Sequence, residues 1–324
     1  MLFDLRPKEK LSDLYDRKDE YKTMKEQLNS GSWVVVLGKR MTGKTSLVKT
    51  YSNENHGIYI NLLGEKSISA LSSKLAAHAG IRLQEFAVSV GMASFKWTRL
   101  TEELFSRIDS NLVVLDEVQG ISSPNFLNLL KNVWDSYRKI RFVFSGSYIG
   151  LMRNLLYPDA ASPLYGRSPY KLVLSPFTSD ESYSFLQAGF SELNKEIHEK
   201  EAKEVVTKLN GYVGWLTYYG NMRCIRRLDH EKALDLTIKE GIKIVISELN
   251  TFLKGRNRSL YVKALRKAAD GCSWSDVKRA TNANNKVVTE ILQRLKAAMI
   301  IDEEDGLYTI GDPLMRRAIV TLRY

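Results

Sequence analysis

The sequence predicts an α/β fold in which a parallel sheet carries helices on both faces, followed by a helical lid and a winged-helix domain. Three observations support this prediction. Five short apolar runs alternate with helical stretches, a glycine-bearing loop joins the first run to a helix, and no further strand pattern occurs between Ser175 and a hairpin pattern that begins at Ile300. Alternation of this kind is typical of parallel sheets whose strands are buried on both faces.

The first 174 residues contain the predicted sheet. A polar, charged and helical arm extends to about Ser30, and the strand candidates after it are only three to five residues long. They are Trp33–Leu37, Ile58–Ile60, Leu112–Leu115, Phe142–Phe144 and Lys171–Leu174. We therefore expect a first domain over residues 1–174, with the Phe142–Phe144 strand lying between the strands that begin at Trp33 and Leu112.

Two further domains are expected after the sheet. Ser179 to Leu253 has the periodicity of amphipathic helices, interrupted by a glycine-rich stretch at residues 211–215, which predicts a lid over residues 175–254. From residue 255 onward, three helical segments (259–269, 275–280 and 284–298) precede a hairpin pattern that turns at Asp305-Gly306. Three helices and a hairpin predict a winged-helix domain over residues 255–324.

Composition excludes several classes of protein. Hydrophobic residues make up 44% of the 324 and charged residues 26%, which is typical of a globular chain. No run approaches the roughly 18 apolar residues of a membrane span, and the first eight residues lack the apolar centre of a signal peptide, so we expect a cytoplasmic protein with no membrane partner. The two cysteines, Cys224 and Cys272, offer no zinc or disulfide framework and are expected to be buried thiols.

The loop after the first strand carries the most specific signal. It reads Gly38-Lys39-Arg40-Met41-Thr42-Gly43-Lys44-Thr45, and Ser46 follows it. This is the P-loop pattern between a strand and a helix, where backbone N–H groups surround phosphates. In such a loop Lys44 binds the β- and γ-phosphate oxygens and the Thr45 hydroxyl takes one Mg²⁺ position.

Two carboxylates follow the third strand run. Asp116 and Glu117 directly follow the Leu112–Leu115 run. They lie at the carboxyl end of the strand, where ligands bind in open α/β folds. Asp116 is predicted to hold Mg²⁺, and Glu117 is predicted to be the general base that deprotonates the attacking water. A solvated strand end or a helix cap is the simpler alternative for an isolated pair of this kind.

Ser145 ends the Phe142–Phe144 run and is predicted to lie beside the γ-phosphate. With Gly146 and Ser147 it is a candidate for polarising the attacking water. The alternative is a Ser-Gly turn that caps the strand.

Several motifs in this order resemble the archaeal ATPase family, a member of the AAA+/STAND group of P-loop NTPases. They are the P-loop, Asp116-Glu117-Val118-Gln119, Ser145-Gly146-Ser147, Leu164-Tyr165-Gly166-Arg167, Leu174-Ser175-Pro176-Phe177 and Tyr308-Thr309-Ile310-Gly311-Asp312-Pro313-Leu314. The resemblance extends from about Asp16 to Pro313. It implies an Mg²⁺-dependent ATP hydrolase whose ATP or ADP state moves the lid and the winged-helix domain.

The same resemblance implies further site residues. Arg167 becomes a candidate arginine finger or γ-phosphate sensor, and the Asp16–Glu20 segment, with Arg17, is expected near the adenine. Val213 stands where the family has the proline of a Gly-x-Pro element, so a sensor role there competes with a role for Tyr212 and Trp215 as core aromatics.

Two other functions remain as alternatives, because fold does not fix function. The formal charge of +11 favours polyanionic partners, and residues 255–324 contain 13 basic and eight acidic side chains. A nucleotide-stabilised DNA-binding regulator could use the third C-terminal helix, although four acids at the hairpin, from Asp302 to Asp305, disfavour a DNA-bound wing. A scaffold that recruits a protein partner through the same domain is the other alternative, and the oligomeric state is left open.

Overall fold

A computed structural model describes residues 1–83, 97–108, 110–121, 124–146 and 155–322. The chain divides into two compact units. We call residues 7–38 and 43–174 the sheet unit, and residues 1–6, 39–42 and 175–324 the helical unit. The expected further division at residue 254 stays a prediction.

The sheet unit contains one parallel five-stranded sheet. Its strands are β1 (Val34–Gly38), β2 (Ile58–Asn61), β3 (Leu112–Asp116), β4 (Arg141–Ser145) and β5 (Tyr170–Leu174). Their spatial order is β2-β3-β4-β1-β5, with every neighbouring pair parallel. The predicted sheet is confirmed, including the position of β4 between β3 and β1. The carboxyl ends of all five strands therefore meet at one edge.

Five helices accompany the strands within the described part of this unit. They are α1 (Lys18–Asn29), α2 (Lys44–Glu54), α3 (Ile68–His78), α4 (Trp97–Arg107) and α5 (Pro124–Ser136). A buried apolar cluster joins one face of the sheet to α1 and α2, with Val36 and Val114 from the strands and Leu47 and Tyr51 from α2.

The opposite face of the sheet is aromatic. Phe142 of β4 lies 5.3 Å from Phe105 of α4, and Trp33 lies 4.7 Å from Trp134 of α5, as ring centroid distances. Helices thus cover both faces, which explains why β1 and β3 are buried at every residue and read as continuous apolar runs.

Strand register places the polar ends of three strands on the α2 face. Asn61 pairs with Asp116 and Tyr59 with Val114, while Val114 pairs with Val143, two residues before Ser145. Because paired residues of parallel strands share a face and alternate residues along a strand do too, Tyr59, Asp116 and Ser145 point to the same side. The helix on that side begins at the P-loop lysine.

The helical unit begins with four helices after β5. They are α6 (Ser179–Glu192), α7 (Glu199–Leu209), α8 (Val213–Gly220) and α9 (His230–Leu253). Thr178 and Glu181 form a reciprocal capping box at the start of α6, and the Asp229 carboxylate accepts the Lys232 N–H at the start of α9. The predicted interruption near residue 211 is the short connection between α7 and α8.

The last part of the unit contains four helices and a small antiparallel sheet. The elements are α10 (Arg258–Ala269), β6 (Cys272–Ser273), α11 (Trp274–Thr281), α12 (Asn285–Ala297), β7 (Asp302–Glu304), β8 (Leu307–Thr309) and α13 (Pro313–Thr321). The sheet has the order β6-β8-β7. The three helices and the hairpin turn at Asp305 and Gly306 lie in the segments predicted for them, whereas β6 and α13 were not predicted. The winged-helix assignment stays a prediction.

Candidate phosphate-binding site

The P-loop connects β1 to α2, and Gly43 makes the turn. Its φ of 94° and ψ of 12° lie in left-handed space that side-chain-bearing residues disfavour. The first helical hydrogen bond of α2 runs from Leu47 N to Gly43 O at 3.0 Å, so the N–H groups of the first turn precede it. Thr45 is the second residue of this helix, as the predicted phosphate and metal roles require.

Lys44 folds back toward the start of the loop. Its Nζ donates a hydrogen bond to the Gly38 carbonyl at 2.8 Å. The ammonium is therefore held within the loop by a neutral acceptor, and a phosphate oxygen is a stronger, charged acceptor for the same donor.

The middle of the loop, residues 39–42, belongs to the helical unit. Lys39 forms an ion pair with Asp302 of β7, and Arg40 forms one with Glu248 of α9. The Met41 carbonyl accepts a hydrogen bond from the N–H of Gly214 at 2.9 Å. Sequence reasoning missed these contacts, and no local pattern could reveal them, because the partners are more than 170 residues away.

Two other predicted nucleotide contacts have partners within the sheet unit. The Ser46 hydroxyl accepts the Lys8 N–H at 3.1 Å. Arg17, only 7% exposed, forms an ion pair with Glu20 at 2.7 Å between Nη1 and Oε1. Their roles toward a nucleotide stay predictions.

Asp116 is fully buried at the carboxyl end of β3 and accepts three hydrogen bonds from described residues. Oδ1 accepts the Glu117 N–H at 3.0 Å and the Ser145 hydroxyl, and Oδ2 accepts the Tyr59 hydroxyl at 2.7 Å. These donors fix the orientation of the carboxylate, which suits an oxygen that is to bind a cation.

Glu117 has a left-handed backbone, with a φ of 57° and a ψ of 40°. For a non-glycine residue this conformation is uncommon, and such residues cluster at active sites. The strain turns the chain sharply after β3, and Glu117 remains partly exposed while its neighbour Asp116 is buried.

Ser145 is buried at the end of β4, and its hydroxyl donates a hydrogen bond to Asp116 Oδ1. Its predicted role beside the γ-phosphate stays a prediction, and Ser147 lies outside the described residues. Tyr59 was missed by sequence reasoning. Burial, followed by the charge of Asp116, raises the pKa of its phenol, so that Tyr59 is protonated and acts as the donor. The sequence feature that could have revealed Tyr59 is its position two residues before the end of β2.

Arg167 lies in the loop before β5, the strand that pairs with β1. It precedes β5, whose first residue, Tyr170, donates its N–H to the Trp33 carbonyl just before β1. Its Nε contacts Asp135 Oδ1 at 3.1 Å, and the pKa of Asp135 is lowered first by a hydrogen bond from Lys131 and then by the charge of Arg167.

This ion pair is the contact that the structure gives for the Arg167 guanidinium with an acidic side chain. The predicted roles of Arg167, as an arginine finger or as a γ-phosphate sensor, stay predictions.

The segment with Val213 in place of the family proline is part of a core. Tyr212 and Trp215 are both 1% exposed, and Val213 begins α8. A Cβ on Gly211 would lie 1.9 Å from the Phe177 carbonyl oxygen, so this close backbone approach requires glycine. The aromatics therefore pack as core residues, whereas a sensor role for the segment stays a prediction.

The donor set at the sheet edge fits Mg²⁺ bound with a nucleotide. Mg²⁺ prefers oxygen ligands and usually takes one or two from protein, with phosphates and waters completing the octahedron. The Asp116 carboxylate and the Thr45 hydroxyl are such oxygens. Both cysteines are buried thiols as expected, and burial raises the pKa of each to about 11, which makes them poor metal ligands.

None of the helices in the described ranges is both long and apolar enough to span a membrane.

Comparison with known proteins agrees with this geometry. A model of an ATPase domain found predominantly in Archaea matches residues 14–218, more than half of the chain. No curated protein sequence matches significantly. The Walker-type ATPase PABY2304 of Pyrococcus abyssi is similar at 28% identity with a TM-score of 0.81, covering 99% of this chain and 100% of that one.

Two more distant structures share the fold. The ORC2 protein of Aeropyrum pernix, solved as ADPNP and ADP complexes, matches at 16% identity with a TM-score of 0.65, over 98% of this chain and 96% of its own. The ORC1 protein of the same organism, solved in complex with DNA, matches at 14% identity with a TM-score of 0.50, over 94% and 92%. With its P-loop and its family match taken together, the chain belongs to the P-loop ATPase family whose domain occurs predominantly in Archaea.

Proposed function

We propose that this protein binds ATP with Mg²⁺ and hydrolyses it to ADP and phosphate. The observation that carries the proposal is the arrangement at one sheet edge. The P-loop with its lysine follows β1, whereas the buried Asp116 ends β3 and the strained Glu117 comes directly after it. Only β4 lies between β1 and β3, so their carboxyl ends are close together.

The residues of the chain have distinct tasks in this proposal. Lys44 exchanges the Gly38 carbonyl for phosphate oxygens, while the first-turn N–H groups of α2 bind the same phosphates. Thr45 and Asp116 would hold Mg²⁺, which neutralises charge on the β- and γ-phosphate oxygens when it is bound. Glu117 accepts the proton of the attacking water.

A switch role for the nucleotide is part of the proposal. Lys39 and Arg40 pair with Asp302 and Glu248 inside the helical unit, and the triphosphate of ATP offers these two cations a competing anion. ATP and ADP present different numbers of phosphate charges. The two ion pairs are therefore the contacts that we expect nucleotide state to alter.

The test is ATP and ADP binding by isothermal titration calorimetry, with Lys44→Ala as the variant. Loss of one charged contact costs on the order of 2–4 kcal/mol, or about 30- to 900-fold in affinity. Lys131→Ala is the matched control, because Lys131 pairs with Asp135 on α5 of the same unit. Unchanged ATP affinity in Lys44→Ala would contradict the P-loop assignment.

DNA binding through α12 is the second candidate, supported by the net positive charge of residues 255–324. The basic residues Arg294 and Lys296 of this helix, which we expect to contact DNA phosphates, form ion pairs with Glu290 and Glu303. We expect weak binding with little sequence preference and a log–log salt slope no steeper than about −4 to −5. Fluorescence anisotropy at two salt concentrations decides this, and nanomolar, sequence-selective binding would favour the regulator instead. No binding at low salt would leave a protein-recruiting scaffold.

A further inference from the structure

We propose that Tyr59 is a positioning residue for the metal-binding carboxylate, fixing the Asp116 side chain so that one lone pair of Oδ2 faces Mg²⁺ or a water bound to it. The inference rests on the proposed function, because it concerns the same Asp116. It adds a residue from β2 that belongs to none of the sequence motifs.

The strand register brings the two side chains together. Asn61 of β2 pairs with Asp116 of β3, and Tyr59 lies two residues earlier on the same face of β2. The phenol therefore starts two residues before the level of the carboxylate. A tyrosine is long enough to span that offset, and its hydroxyl reaches Oδ2 at 2.7 Å. A shorter hydroxyl side chain at this position would not reach.

The acceptor fixes the direction of the tyrosine proton. A phenol carries one proton, and a carboxylate oxygen can only accept a hydrogen bond. The Tyr59 hydroxyl lies 2.7 Å from Asp116 Oδ2, so its proton is directed at that oxygen.

A lone-pair count shows which oxygen remains open to a cation. An ionised carboxylate has about two acceptor sites on each oxygen. Among the described residues, Oδ1 of Asp116 accepts from both Glu117 N and Ser145 Oγ, whereas Oδ2 accepts only from Tyr59. One site on Oδ2 is left, and Tyr59 determines where it points.

The tyrosine ring is itself held in place. It packs against the apolar cluster between the sheet and α2, and Lys49 Nζ of α2 lies 5.7 Å from the ring centroid. Lys49 is anchored by an ion pair with Glu9 at 2.6 Å. A ring fixed between β2 and α2 gives the hydroxyl one orientation, which is what positioning requires.

The test measures metal affinity separately from nucleotide affinity. Mn²⁺ binding to the protein–ADP complex is followed by electron paramagnetic resonance for wild type, Tyr59→Phe and the control Tyr51→Phe. Tyr51 is a buried tyrosine of the same apolar cluster, so its variant also removes one hydroxyl. Metal-free ADP affinity and the thermal midpoint are recorded for each protein.

Tyr59→Phe is expected to weaken Mn²⁺ binding about tenfold or more, the effect of losing an outer hydrogen bond to a metal ligand, with metal-free ADP affinity unchanged. Tyr51→Phe should leave Mn²⁺ affinity unchanged. Should Tyr59→Phe fail to fold, Tyr59→Met, which also removes the hydroxyl but fills the space with a flexible apolar side chain, is expected to weaken Mn²⁺ binding to a similar degree.

Unchanged or tighter Mn²⁺ binding in Tyr59→Phe, with normal ADP binding, would overturn the positioning role alone. Tighter binding would mean that Tyr59 competes with the metal. If wild type bound no nucleotide, the proposed function would fall and this inference with it. The two failures are therefore distinguishable.

Discussion

Replacing Gly43 by alanine should weaken ATP binding by a factor that follows from the backbone. Gly43 has a φ of 94°, and an L-residue forced into left-handed space costs about 1–2 kcal/mol. Without nucleotide, the loop of the Gly43→Ala variant adopts another conformation that avoids this cost. Nucleotide binding must then return the loop to the strained conformation, which lowers the affinity. Because 1.4 kcal/mol corresponds to a tenfold change, ATP affinity should fall about 5- to 30-fold.

The matched control is Gly64→Ala, in the turn after β2 of the same unit. Gly64 has a φ of 80°, and no atom lies within 4 Å of the point that a Cβ would occupy, so alanine there carries similar backbone strain without a steric clash. Isothermal titration with ATP should give wild-type affinity for Gly64→Ala and reduced affinity for Gly43→Ala. Equal ATP affinity in Gly43→Ala and wild type would refute the reasoning.

Three other predictions follow from particular contacts. Arg167→Ala should slow hydrolysis at least tenfold with unchanged ADP affinity, because an arginine finger acts in the transition state; a rate per molecule that is independent of protein concentration would exclude action between molecules. Asp302→Asn removes the ion pair of Lys39 and should raise ATP affinity a few-fold in titration calorimetry, whereas lower affinity would contradict competition with phosphate. Hydrogen bonds from Ser273 lower the pKa of Asp276 from 3.8 to about 2, so its stabilising effect is present above pH 4 and lost as pH falls toward 2. Urea midpoints of wild type and Asp276→Asn should converge over that range, and a constant difference would contradict the assignment.

Much of the sheet unit could be predicted from local sequence. Strands buried on both faces must be apolar throughout, so the runs Trp33–Leu37 and Leu112–Leu115 predicted β1 and β3 to within one residue at each end, without any partner. The P-loop was equally visible, because phosphate binding needs glycine and lysine at fixed spacing within one loop. In the helical unit, helix starts such as Thr178 and Asp229 are equally local, because capping chemistry acts within four residues.

Contacts between distant parts of the chain could not be predicted in the same way. The ion pair of Lys39 with Asp302 joins residues 263 apart, and no spacing rule connects them. Arg167 contacts Asp135, 32 residues earlier on α5, and a motif of four residues carries no information about such a partner. Tyr59 required the parallel register of β2 and β3, which sequence periodicity does not specify.

Phosphate release by Glu117→Gln tests the central claim most directly, since the variant keeps the shape of Glu117 but cannot accept a proton from water. ATP affinity should stay close to that of wild type, because the P-loop is unchanged. Steady-state hydrolysis should fall by roughly 10² or more, the usual contribution of a general base. Turnover within a few-fold of wild type, with ATP still bound, would contradict the assignment of Glu117 and with it the proposed mechanism.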